Sequence, residues 1–210
     1  MSAAPQGTPE WLAERAGKVG ASSIGDLMAR TKSGYSASRA NLMARLLTER
    51  LTGQPAETYQ NGAMLWGIET EPQARAAYEF SRDVEVIETG WMPHPEIEGA
   101  GCSPDGLVGA DGMTEIKCPQ TATHIDTLLG KPIDKRYLLQ MQWQMECCGR
   151  EWCDFISFDP RLPLRMQLFV QRIKSDEKQI EEIRIEVVKF LSELELRLQV
   201  LNEKYPEETT

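Results

Sequence analysis

Two neighbouring stretches decide the fold: Cys102-Ser103-Pro104-Asp105-Gly106-Leu107 and Met113-Thr114-Glu115-Ile116-Lys117-Cys118-Pro119. Gly106–Val108 and Met113–Lys117 read as short strands joined by the turn-forming run Gly109-Ala110-Asp111-Gly112. Glu115 and Lys117 are two apart on a strand, so both side chains leave the same face. Acidic oxygens hold a hard cation such as Mg²⁺. A lysine beside them orients a water or offsets charge in phosphodiester hydrolysis. Register decides whether Asp105 joins them. A two-residue turn at Asp111-Gly112 sets Asp105 opposite Cys118, on the wrong face. A three-residue loop, Ala110-Asp111-Gly112, sets Asp105 opposite Lys117 and Leu107 opposite Glu115. Asp105 and Glu115 then become diagonal neighbours about 7–8 Å apart at the backbone. The expectation is the three-residue loop, with Gly112 in the left-handed position, or a bulge with the same effect. Taken alone, Glu-x-Lys is far more often a solvated strand face, and both Asp-Gly pairs are ordinary turns; Pro104-Asp105 at the right distance upstream brings the two readings level.

Helical periods lie on either side. Ser22 or Ser23 is placed to cap a helix through Ile24, Leu27 and Met28. Arg39–Leu51 carries a helical stripe ended by Gly53, after a polar loop over 31–38. Met64–Phe80 is helical, with Pro72 predicting a kink or a helix start. Val84, Val86, Ile87 and Trp91 read as a strand. Beyond the hairpin come a helix over Arg136–Cys147 and strands over Trp152–Phe158 and Met166–Ile173. A long helix follows from Ser175 or Asp176, with a stripe at Ile180, Ile183, Val187, Leu191, Leu194, Leu198 and Leu201. That stripe predicts docking on the sheet or pairing with another subunit. The fold class is α/β (α+β): a central mixed sheet flanked by helices, with a long C-terminal helix.

A length of 210 residues predicts one domain. It divides into a helical part over 1–60, a core over 61–173 and the helix over 174–204. No apolar run is long enough to span a membrane, and the first eight residues show no export signal, so a cytoplasmic protein is expected. The net charge is −9, which argues against DNA binding through bulk charge. The charge is uneven: residues 1–60 hold 7 basic and 5 acidic side chains, whereas 61–170 hold 9 and 17. Five cysteines without a C-x-x-C pair read as free thiols. His94 and His124 have no partner pattern and are assigned no role.

From Trp11 to about Pro160 the chain resembles the phage lambda-type alkaline exonucleases, the YqaJ viral recombinase family of the PD-(D/E)xK nuclease superfamily. The resemblance rests on Trp11-x3-Arg15-x-Gly17 with Ala21-Ser22 and on Leu65-Trp66-Gly67-x3-Glu71-x2-Ala74-Arg75. It continues in the two core stretches quoted above, in Tyr137-x2-Gln140-x-Gln142 and in Phe158-Asp159-Pro160-Arg161. It implies a PD-(D/E)xK restriction-endonuclease-like core. It implies Asp105, Glu115 and the Ile116 carbonyl as ligands of Mg²⁺, with Mn²⁺ a substitute, and Lys117 as the residue that readies the nucleophile. Glu71 would serve a second metal or its waters, and Tyr137 and Gln140 would support the site. Arg15 and Ser22 would hold a DNA 5′-phosphate, and Met64 would be an apolar wedge between base pairs. A branch with an iron–sulfur cluster needs a cysteine before the acidic helix, and none precedes Cys102.

The implied activity is a phage- or prophage-encoded 5′-to-3′ exodeoxyribonuclease in a bacterial host. It would act on linear double-stranded DNA as a homotrimeric ring, releasing 5′-mononucleotides and leaving 3′ overhangs for a single-strand-annealing recombinase. Each residue has a plainer reading. Glu71 is also a helix-start carboxylate, Arg15 a partner for Glu10 or Glu14, and Gln140 an exposed helix residue. Tyr137 is also rim packing, and Met64 core. Two other functions stay open: an inactive DNA-end-binding module of the same fold, and an interaction protein working through its C-terminal helix.

Overall fold

A computed structural model describes residues 4–56 and 61–206. In chain order the elements are α1 (Pro9–Arg15), β1 (Val19–Gly20), α2 (Ile24–Met28), β2 (Arg30–Thr31), β3 (Gly34–Tyr35), α3 (Ala37–Thr52) and α4 (Gly62–Arg82). Next come β4 (Val86–Ile87), β5 (Met92–Pro93), β6 (Ala100–Cys102), β7 (Gly106–Val108), β8 (Gly112–Lys117) and α5 (Thr121–Leu128). The chain closes with α6 (Lys135–Cys148), β9 (Trp152–Phe158), β10 (Leu168–Lys174) and α7 (Glu177–Lys204). The main sheet runs β10-β9-β8-β7-β4, with β8 and β9 parallel and the other pairs antiparallel. It is the mixed sheet expected. The α5–α6 crossover supplies its parallel pair, as parallel neighbours require.

Alternation along β8 sorts the chemistry. Ile116 packs with Ile156, Phe158, Ala74 and Tyr78 on the α4 side. Met113 packs with Phe155, Met141 and Met145 on the α6 side. The odd-numbered residues of β8, Glu115 and Lys117 among them, therefore face α6. A third cluster joins α2, α3, α6 and α7 through Ile24, Leu27, Leu46, Trp143 and Phe190. Asparagine and aspartate set three of the helix starts: Asn61 accepts from the Ala63 and Met64 amides, Asp134 from Arg136 and Asp176 from Gln179.

Several expectations are corrected. The hairpin loop has three residues, but they are Gly109, Ala110 and Asp111: β7 and β8 pair as Gly106↔Thr114, Leu107↔Met113 and Val108↔Gly112. The left-handed residue is Gly109 (φ 56°). Gly112 is a strand residue, where a Cβ would lie 2.0 Å from Trp152 Cζ2. The shift is an even number of residues, so the faces survive. Extending the ladder by one sets Asp105 across from Glu115 rather than Lys117.

Helix α4 runs through Pro72 and does not start there; Asn61 starts it. Neither Ser22 nor Ser23 caps α2 with its side chain. The polar stretch after Met28 forms the β2–β3 hairpin. The strand expected over 84–91 divides: Val86–Ile87 joins the main sheet, and Met92–Pro93 joins β6 and β1 in a second one. The last strand starts at Leu168, after a 3-10 turn over Leu164–Met166. Helix α7 docks on α2, α3 and α6 rather than on the main sheet, burying Ile183, Val187, Phe190 and Leu194. All five cysteines are free, and Cys102 Sγ lies 3.4 Å from Cys148 Sγ. Among the described residues no helix is long and apolar enough to cross a membrane.

Candidate active site

The α6 face of β8 meets glutamines one helical turn apart. Gln140 Nε2 donates to Glu115 Oε1 and Gln144 Nε2 to Glu115 Oε2, each at 2.8 Å. Lys117 Nζ lies 2.5 Å from Glu115 Oε1 and 4.9 Å from the centre of the Tyr137 ring. Glu115 is wholly buried, so its charge is tolerated only because these three donors hold it. Asp105 follows Pro104 and turns toward β8, where Oδ2 accepts from the Ile116 amide at 2.6 Å. The Ile116 side chain lies on the opposite face, so only its backbone borders the carboxylates.

The electrostatics are those of crowded carboxylates. Burial, then the neighbouring Glu115, pushes the Asp105 carboxyl well above its usual range, against the pull of Lys117. Burial also raises Glu71, although Arg75 holds its Oε1 at 2.8 Å and pulls the other way. For Lys117, burial disfavours the charge, but Glu115 and Asp105 outweigh it and the ammonium is strengthened. Among the described residues no three acidic, His or Cys side chains are already drawn into a cation-holding group. The donor set nevertheless fits one: the Asp105 and Glu115 carboxylates, with Glu71 nearby, are hard oxygen ligands, and burial and mutual crowding raise the proton affinity of Asp105 and Glu71.

A cavity of about 140 Å³ joins this cluster to the N-terminal segment, lined in part by Asp105, Glu115, Lys117, Gln140, Arg15 and Ser22. Arg15 stacks on Trp11 at 3.9 Å and makes no ion pair among the described residues, neither with Glu10 nor with Glu14. Burial, and then Arg45, pulls Arg15 down to about 10, with Glu49 opposing. Trp11 Nε1 donates to Ser103 Oγ at 3.0 Å. The spacing of Trp11, Arg15 and Gly17 now has a cause. Gly17 is left-handed (φ 69°), its amide donates to the buried Glu49 at 2.7 Å, and a Cβ there would meet Arg50 Cγ at 2.6 Å.

Asp105, Glu115, Lys117, Gln140, Arg15 and Ser22 thus share one cavity, with Tyr137 beside Lys117 and Glu71 close enough to act on Asp105. Met64 does not line it; it is exposed on α4 with Leu65 and Ile68, so the core reading of Met64 is wrong. Sequence reasoning missed Gln144, whose signal was its four-residue spacing from Gln140, and Ser103, hidden in the strand motif. It also missed Arg45 and Glu49, which look like a plain surface pair until Gly17 and Ser23 are seen bonded to them.

The profile of the YqaJ-like viral recombinase domain matches residues 10–151. No functionally curated protein matches the chain. Among solved structures, an alkaline exonuclease (LHK-Exo) from Laribacter hongkongensis is 51% identical with a TM-score of 0.86. LHK-Exo in complex with dAMP is 51% identical with a TM-score of 0.87; each alignment covers 94% of this chain and 97% of the other. A phage-related exonuclease from Haemophilus somnus 129PT shares the fold at 18% identity, with a TM-score of 0.66 and coverage of 89% and 96%.

Proposed function

The chain belongs to the YqaJ-like viral recombinase domain family, and from that premise we propose that it is a Mg²⁺-dependent exodeoxyribonuclease removing 5′-mononucleotides from linear double-stranded DNA in the 5′-to-3′ direction. One observation carries the reading: Arg15, which has no ion-pair partner among the described residues, and the Asp105–Glu115–Lys117 cluster face one cavity. An anion at one end and a cation-dependent cutting site at the other are what a 5′-end nuclease needs. The 51% identity to an alkaline exonuclease supports it.

Asp105, Glu115 and the Ile116 carbonyl would hold the metal, with Glu71 near it. When bound, Mg²⁺ would supply Lewis acidity and lower the pKa of a bound water. Gln140 and Gln144 keep Glu115 aimed, and Lys117 holds the attacking water through Nζ against the wall formed by Tyr137. Arg15, planar and forked, clamps the terminal 5′-phosphate with the Ser22 hydroxyl. Water adds to phosphorus and the bond to the 3′-oxygen breaks. The first nucleotide leaves with its 5′-phosphate and a 3′-hydroxyl, and the next nucleotide keeps a 5′-phosphate. Each cut therefore regenerates the end that Arg15 recognises.

Met64, exposed with Leu65 and Ile68, would separate the terminal base pairs. The 3′ overhang would pass to a single-strand-annealing recombinase. A homotrimeric ring would give processivity and shield DNA from the acidic exterior, and a phage-type protein would act in the bacterial cytoplasm. The inactive end-binding module is disfavoured by the intact cluster, and the helix-mediated interaction protein by the burial of α7 within its own chain. Linear duplexes labelled at either the 5′ or the 3′ end test the reading. Early release of labelled mononucleotide from the 5′ end supports it; release first from the 3′ end, or internal cuts, overturns it.

A further inference from the structure

Arg15 and Ser22 sit on short turns, and side chains of α3 that do not line the cavity hold both turns in place. Gly17, two residues after Arg15, is held at both of its backbone groups. Its amide donates to Glu49 Oε2 at 2.7 Å, and its carbonyl accepts from Arg50 Nε at 2.9 Å. The Lys18 amide closes the turn by donating to the Arg15 carbonyl at 3.1 Å. On the other side of the pocket Ser23, next to Ser22, accepts from Arg45 at 3.1 Å, and Arg45 lies 3.4 Å from Glu49 Oε1. One carboxylate therefore joins the Arg15 turn directly, and the Ser22 turn through Arg45.

Glu49 is buried, and the Ala56 amide also donates to its Oε1 at 3.3 Å. Donors from three separate segments thus converge on one side chain, and removing it leaves a buried Gly17 amide without its partner. The same carboxylate acts on Arg15 through space. Arg45 repels the Arg15 guanidinium, and Glu49 opposes that repulsion. Without Glu49, two like charges would face each other beside the pocket and drive the arginines apart. A forked contact between a guanidinium and a phosphate forms only when the fork arrives aligned, so a drifting Arg15 loses most of its worth as a clamp.

We propose that Glu49 is the positioning residue of the 5′-phosphate clamp: it fixes the separation of Arg15 and Ser22, and so sets how strongly a phosphorylated end is preferred over a 5′-hydroxyl end. The inference rests on the reading of Arg15 as that clamp and adds the residue that builds it. Glu49 does not line the cavity, so its effect passes through the two turns it joins. That route touches recognition of the end and leaves the metal-holding carboxylates on β7 and β8 outside it.

Steady-state kinetics on duplexes carrying either a 5′-phosphate or a 5′-hydroxyl test it, with wild type, Glu49→Ala and Glu49→Gln at saturating Mg²⁺ and a melting curve for each protein. Glu49→Ala breaks both links. It should raise KM for phosphorylated ends about tenfold, with a much smaller effect on kcat, and narrow the preference over hydroxyl ends by about the same factor. Glu49→Gln has nearly the same shape and keeps an acceptor for the Gly17 amide, but loses the charge that answers Arg45. It should narrow the preference by about threefold. If Glu49→Ala does not fold, the result for Glu49→Gln decides alone. A folded variant that keeps the wild-type preference overturns the inference. So does a variant whose kcat falls equally on both kinds of end, which is what a general loosening of the fold produces. If wild type does not distinguish the two ends, the Arg15 reading falls and takes this inference with it. A wild-type preference that both variants leave untouched sinks the inference alone.

Discussion

Gln144 reaches across from α6 to Glu115, donating Nε2 to Oε2 at 2.8 Å where neither side chain is exposed to water. With Gln140 on the other oxygen, it fixes the plane of a carboxylate that Lys117 alone would let rotate. Residues that orient metal ligands typically change metal affinity or activity 10–100-fold. Gln144→Ala should therefore lower exonuclease turnover by about that factor and raise the Mg²⁺ concentration needed for half-maximal rate. A loss of turnover with unchanged Mg²⁺ dependence contradicts the orienting role.

The raised Asp105 and Glu71 carboxyls set the sign of two pH effects. A carboxyl pushed up in the folded protein favours folding in its protonated form, and that stability is lost as pH rises through the folded value. At neutral pH without metal, Asp105→Asn should melt higher than wild type while losing nuclease activity. Adding Mg²⁺ should raise the wild-type melting temperature and leave that of Asp105→Asn nearly unmoved. Activity should climb as pH rises through the raised carboxyl values. Melting curves at fixed pH, with and without Mg²⁺, check the first two; an Asp105→Asn protein that melts lower than wild type in metal-free buffer contradicts the account.

Arg15 is an arginine pulled down to about 10 by burial and Arg45. Arg15→Ala should slow attack on 5′-phosphorylated ends about tenfold, the size of one charge-assisted contact of about 1.4 kcal/mol. It should also narrow the preference over 5′-hydroxyl ends. Competition between the two kinds of end reads this directly, and an unchanged preference in Arg15→Ala removes Arg15 from the site.

The centre of the fold was legible in the residues, and its margins were not. The main strands and α6 carried clear periods because each buries one or both faces. The hairpin faces came out correctly although the pairing was two residues off: period-two alternation is untouched by an even slip. Gly112 was misread because Asp-Gly is a turn signal, whereas here the missing side chain makes room for Trp152. The small sheet of β1, β5 and β6 has strands of two or three residues, too short to show a period. In the site, the cluster on β8 was visible as a motif. Gln144 and the Gly17–Glu49 bond depend on contacts between distant segments.

Helix α7 is part of the body, with Phe190 and Leu194 fully buried against α2, α3 and α6. Phe190→Ala should destabilise the protein by about 3–5 kcal/mol and Leu194→Ala by about 2–5 kcal/mol. Ile185→Ala, on the exposed face, should change little. Denaturant unfolding measures all three. A Phe190→Ala protein as stable as wild type would mean that α7 is a separable docking arm.

The central claim is that Asp105, Glu115 and Lys117 form one metal-dependent cutting site. The most direct measurement is nucleotide release from a linear, 5′-phosphorylated duplex by wild type, Asp105→Ala and Lys117→Ala, each with and without Mg²⁺. The account predicts Mg²⁺-dependent release by wild type, with both variants at least a hundredfold slower though still folded, since each removes a group the chemistry requires. Release that persists in either variant, or that ignores Mg²⁺ in wild type, contradicts it.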